Sequence, residues 1–159
     1  MSVTLVNLSS LITTVQLQNI ITGLNLLLIK FANDWKLGPC ICIVGPITTP
    51  GCKMCILDNA DCDAGAGAKI FVQPILENGG TIYDDVSRSI AHEVMEILIN
   101  PYFNIGWQLH DASLECREVC HPVKDSKITI KVGAQNIAYN EWVLPKWTDI
   151  NQKTCSKNS

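Results

Sequence analysis

The sequence predicts an α+β fold: a small mixed sheet with an edge strand, packed against an N-terminal helix and a central helix. Three observations carry this reading. Two segments, 14–35 and 84–100, repeat apolar residues at three- and four-residue steps. Short β-prone runs are spread between and after them. At 159 residues, a chain can bury about 68–70% of its unfolded surface in one core, so 1–159 reads as a single domain.

Residues 3–8 form the first strand by propensity. Val15, Leu17, Ile20, Ile21, Leu24, Leu27, Leu28 and Phe31 then make a broad apolar helical face, weakened but not ended by Gly23. Cys40–Val44 reads as a buried strand closed by Gly45-Pro46, and Met54–Leu57 as a second. The small and turn-forming residues of Asp58–Ala68 make a loop. Lys69–Ile75 is a third strand, placed at an edge because Pro74 cannot donate a ladder hydrogen bond. Asp84 and Asp85 open the central helix, where the macrodipole favours negative charge, and Pro101 stops it. Residues 102–125 are irregular, Lys127–Val132 alternates as a strand, and Trp142–Trp147 is a packed tail.

Composition excludes several roles. Apolar residues make up 47% and charged residues 17%, which excludes a disordered chain. A net charge of −3 with no basic cluster argues against nucleic-acid and anionic-membrane partners. The first 29 residues lack charge, yet polar residues interrupt every apolar run, the longest being Leu26–Ile29. A signal peptide or membrane span is therefore not expected, and the chain reads as soluble. Five of the eight cysteines fall between 40 and 62. Cys52-Lys-Met-Cys55 has the spacing of half a zinc knuckle, and Cys116 with Cys120 could supply a second half, although C-x3-C is off the tight spacing. The crowding predicts that Cys52 and Cys55 are close and either bridged or co-ligated.

The chemistry-bearing motif is His92-Glu93-Val-Met-Glu96 on the central helix. Residues four apart share a helical face, so His92 and Glu96 can share one cation. Glu93, about 100° round the helix, can accept a proton from water without being a ligand. The pattern arises by chance in about 0.4% of chains of this composition, although helices also carry Glu at such steps simply for solubility. A third ligand must come from elsewhere. Glu115, Glu118 and His121 follow within the range over which zinc sites recruit a distant residue, with His110 and Asp111 also nearby. Glu118 is the first choice and His121 the second.

Ser89-Ile-Ala-His92-Glu-Val-Met-Glu96 with Pro101, then Glu118-Val-Cys-His-Pro-Val123, then Val143-Leu-Pro-Lys-Trp147, resembles an uncharacterised, zincin-like group of bacterial and viral proteins. That group carries an H-E-x-x-E helix, an E-x-C-D-P-V segment and a V-L-P-x-W tail. Leu57–Asp61 and Lys69–Val72 also match its strand positions. Asn100 and His121 replace aspartates of the group, and the second change leaves Glu118 and His121 as alternatives for the third ligand. The resemblance implies a zincin-like plan in which Lys69–Ile75 runs along the active-site cleft.

These readings imply a metal-dependent, peptidase-like hydrolase of a peptide or protein substrate. It would hold one divalent ion, most readily Zn²⁺, through His92, Glu96 and Glu118 or His121, with Glu93 as general base. The rival is a structural protein, virion-associated or in the host cytoplasm, braced by metal or disulfides.

Overall fold

The computed structural model describes residues 1–60, 68–101, 106–108, 114–116 and 119–145, with 106–108 and 114–116 as backbone only. Its centre is a four-stranded sheet. Strand β1 (Ser2–Asn7) lies between β2 (Ile41–Val44) and β3 (Cys52–Leu57), and β4 (Ala68–Phe71) pairs with the outer side of β3. All these pairings are parallel. The expected mixed sheet is therefore parallel in its four strands, and antiparallel pairing occurs separately. β5 (Gly106–Gln108) pairs with β6 (Leu114–Cys116), and β7 (Lys127–Val132) pairs with β8 (Gln135–Asn140).

Burial follows strand position. Val3, Thr4, Leu5 and Val6 are all buried because β1 is central and covered on both faces. The run at 40–44 was expected to be buried, yet β2 is an edge strand in which only Cys42 is buried. The expected strand 69–75 divides at its midpoint. β4 ends at Phe71 and helix α2 (Val72–Glu77) begins. Pro74 is the third residue of α2, where the backbone N–H would have no helical acceptor, so proline costs no hydrogen bond.

Helix α1 (Thr14–Asp34) starts with a capping box. The Thr13 hydroxyl accepts from the Gln16 amide at 3.2 Å and the Gln16 side chain accepts from the Thr13 amide at 2.9 Å. Helix α3 (Ser87–Ile99) continues from a π-helical turn, Ile82–Val86, whose start is capped by Thr81. Leu17, Ile20, Leu24, Leu28 and Phe31 of α1 and Ile90, Val94 and Leu98 of α3 share one core with Val3, Leu5, Met54, Ile56 and Ile70 of the sheet. The opposite sheet face carries a smaller cluster of Val6, Cys55 and Leu57. By length and composition α1 is apolar enough to cross a membrane, and half of its most apolar stretch is buried inside the fold.

The β7–β8 hairpin was legible only in its first strand. Gly133, at φ +58°, takes the first position of a two-residue turn that needs a left-handed backbone. β8 packs on both helices. Ser87 Oγ donates to the Ala138 carbonyl at 2.6 Å, and Tyr139 Oη donates to the Ile20 carbonyl at 2.8 Å. Tyr139 reaches α1 because Gly23 has no side chain: a Cβ there would stand 2.2 Å from the phenol oxygen. The tail closes the far end of α1, where Trp142 meets Phe31 edge-on at 5.4 Å and Trp35 Nε1 donates to the Val143 carbonyl at 3.1 Å.

Candidate metal centre

The π-helical turn and α3 fix the helical phase that sets the site. Asp85, Ser89, His92 and Glu96 fall along one stripe of the helix, with Arg88 and Glu93 beside it. Glu96 is buried, at 6% relative exposure, although it is charged in its ordinary state. Its Oε1 lies 3.1 Å from His92 Nε2, without the alignment of a hydrogen bond, and has no hydrogen-bond partner. A buried carboxylate oxygen left in that condition calls for a positive charge.

Cys120 brings the third donor. It sits just before a single 3₁₀ turn, His121–Val123, and is fully buried against α3. Its Sγ lies 3.9 Å from the His92 carbonyl, a long sulfur contact. One ligand atom each from His92, Glu96 and Cys120 lies within 4.8 Å of the others, so the three form a group that could hold a metal ion. Around a tetrahedral zinc, neighbouring N and O ligands stand about 3.3 Å apart and pairs involving sulfur about 3.6 Å. The His92–Glu96 spacing already meets that edge, and the thiol needs an approach of at most about 1.2 Å. Burial, and then the Glu96 and Glu93 charges, push the Cys120 thiol up from its ordinary value. The same carboxylates attract a cation, and a cation makes the thiolate the favoured form. The residues therefore fit a soft divalent ion.

The sequence-predicted residues are placed unevenly. His92 and Glu96 come together as expected. The His121 ring packs 4.8 Å from the His92 ring, tilted by 49°. Glu93 faces an adjoining cavity of about 710 Å³, which His92 also lines. Glu118, His110 and Asp111 lie outside the described residues, and Glu115 belongs to β6, described as backbone only. Cys120 was not expected beside His92 and Glu96: the sequence offered it only with Cys116 as an off-spaced half of a zinc knuckle, and as the turn residue between Glu118 and His121.

The cavity wall also departs from expectation. Its far side is made by Pro74 and Ile75 of α2 and by Asn78, Gly79 and Gly80, not by a strand over 69–75. The cysteine expectation is corrected outright. Cys52 and Cys55 both lie in β3, and residues three apart in a strand point to opposite faces, about 10 Å apart along it. Cys52 accordingly packs toward the main core and Cys55 into the smaller cluster, and both are free thiols. Cys42 and Cys52 are both paired in register with Val3, from opposite sides. Two strand spacings, about 9.6 Å, separate them, beyond disulfide reach.

Comparison with protein-family models, curated proteins and solved structures finds no match.

Proposed function

We propose that this chain is a zinc-dependent hydrolase of a peptide or amide bond, with the division of roles seen in zincins. The observation that carries the proposal is the buried, hydrogen-bond-deficient Glu96 oxygen beside His92 Nε2 and Cys120, at the edge of a cavity that Glu93 also lines. In this reading His92, Glu96 and Cys120 hold the ion, and Glu118 and His121, which flank Cys120 in the sequence, are the alternatives for the third donor. A thiolate among the donors favours zinc over the harder manganese.

When bound, the ion supplies Lewis acidity and lowers the pKa of water in its coordination shell. Glu93 is one residue on from His92, so its carboxylate approaches the site from the cavity side. There it takes a proton from the attacking water and returns it to the leaving amine. The cavity admits the substrate, and the buried side of the site keeps the donor set dry.

A metal brace is the second reading, favoured by the complete burial of Cys120, which ties the turn before β7 to α3. One experiment separates the two. Metal analysis is combined with a peptide-library cleavage screen of zinc-loaded wild type and Glu93→Gln. The hydrolase reading expects one zinc per chain in both proteins and chelator-sensitive cleavage in wild type, falling about 10²–10⁴-fold in Glu93→Gln. Equal cleavage by the two proteins removes Glu93 as base. Zinc bound by both with cleavage by neither favours the brace.

A further inference from the structure

The cavity beside the metal centre holds two cations that the hydrolytic roles do not use. Arg88 lies one helical turn before His92, and both line the cavity, as does Lys124. Arg88 is fixed in place: its Nη2 donates to the Lys124 carbonyl at 2.6 Å. Its Nε is buried and makes no hydrogen bond. The two carboxylates on the same wall are already engaged in other ways. Asp85 accepts from the Thr81 amide through Oδ2 at 2.8 Å, and Glu93 is the proposed base. Neutral polar groups of Asn78, Ser89 and Asn140 fill out the lining.

We infer that Arg88, assisted by Lys124, forms a carboxylate subsite, so that the preferred substrates are peptides or N-acyl amino acids cleaved one residue from a free carboxylate. This rests on the hydrolase reading above. Residues four apart on a helix are separated by about 6 Å along its axis. One extended residue spans about 3.3–3.6 Å and a guanidinium–carboxylate hydrogen bond adds about 2.8 Å. An amide carbonyl at His92 and Glu93 thus leaves the carboxylate of the next residue within reach of Arg88. Arginine suits the role because its planar fork pairs with both carboxylate oxygens, and partial desolvation in the cavity strengthens the pair.

The test uses zinc-loaded protein and two probes, N-benzoyl-glycyl-phenylalanine and its C-terminal amide. Affinities are measured by calorimetry on the Glu93→Gln background, so that turnover does not intervene. The acid is expected to bind at least ten times more tightly than the amide. Arg88→Gln should shrink that preference to under twofold, Arg88→Lys should keep part of it, and Lys124→Gln, at an exposed side chain, should reduce it without touching the helix. Zinc content and a thermal melt on each variant show that the fold is intact, and Lys124→Gln carries the test if Arg88→Gln does not fold. Equal binding of acid and amide, binding of neither, or a preference unchanged in both Arg88→Gln and Lys124→Gln overturns the subsite. Absence of hydrolysis in wild type with the acid preference intact counts against the hydrolase reading alone.

Discussion

Glu96 and Cys120 set the chemistry because both are buried beside His92, Glu96 with a carboxylate oxygen that has no hydrogen-bond partner and Cys120 with only a long sulfur contact to the His92 carbonyl. Removing one donor leaves too few to hold an ion in competition with water. His92→Ala, Glu96→Ala and Cys120→Ser are therefore each expected to lose stoichiometric zinc, measured by plasma emission on dialysed protein; full retention in Cys120→Ser would exclude the thiol as a ligand. The other cysteines give an independent check on packing. Burial pushes the Cys42 thiol up to about 12, so it is overwhelmingly protonated at neutral pH. Cys55 is equally inaccessible, whereas Cys40 and Cys52 are only partly covered. Native alkylation followed by mass mapping should label Cys40 and Cys52 first and Cys42 and Cys55 only on unfolding. Early labelling of Cys42 would contradict the packing of β2 against α1.

At the level of elements, the ends of β1 and β3 are clamped by Asp58. Ser9 Oγ donates to its Oδ1 at 2.5 Å, the Ser10 amide to the same oxygen at 3.0 Å, and Ser10 Oγ to Oδ2 at 2.8 Å. These bonds hold the carboxyl below the usual aspartate range, the Ser9 hydroxyl contributing most. A lowered folded-state pKa gives stability that is present above the unfolded value of about 3.9 and is lost as pH falls through the folded value. Urea midpoints of wild type and Asp58→Asn should therefore differ at pH 7 and converge below about pH 4; a gap that persists at low pH would deny the clamp. Gly23 makes a second prediction at this scale. Alanine would gain about 1 kcal/mol of helix propensity, but its Cβ would collide with Tyr139. The net expectation is a loss of up to about 2 kcal/mol by denaturant titration, since overpacking costs about 1–3 kcal/mol. These details also mark what the sequence could reveal. The periodicity of α1 and α3 was legible because each buries one continuous stripe. The division at Phe71 was not, because Val72 and Ile75 have strand character and their helix is set by position after β4. β8 escaped notice because its burial depends on α3 and Gly23, which are distant in sequence. His92 and Glu96 could be paired from spacing within one helix, whereas Cys120 joins them only through the tertiary path that returns the chain to α3.

Across the whole molecule, the candidate centre is a junction between parts that the backbone joins only at a distance. The sheet, α1 and α3 share one core, and the β7–β8 hairpin joins it through Ser87 of α3 and Ile20 of α1. Cys120 stands where the chain enters that hairpin region, and Val143 of the tail is tied back to the Val119 carbonyl at 2.9 Å. An ion bridging His92 and Glu96 to Cys120 would therefore pin the second half of the fold to the central helix. Binding to the folded state alone stabilises by about 2.7 kcal/mol at a hundredfold excess over Kd. In a domain of this size each kcal/mol raises the melting temperature by about 2–4 °C. Zinc at that excess should thus raise the Tm of chelator-stripped wild type by about 5–10 °C, and by under 2 °C in Cys120→Ser. Glu93→Gln should keep the full shift, because Glu93 faces the cavity and is not one of the three converging donors. A shift that disappears in Glu93→Gln would make Glu93 a ligand and remove it as the base. A wild-type protein indifferent to zinc would remove the ion from the fold and from the chemistry together.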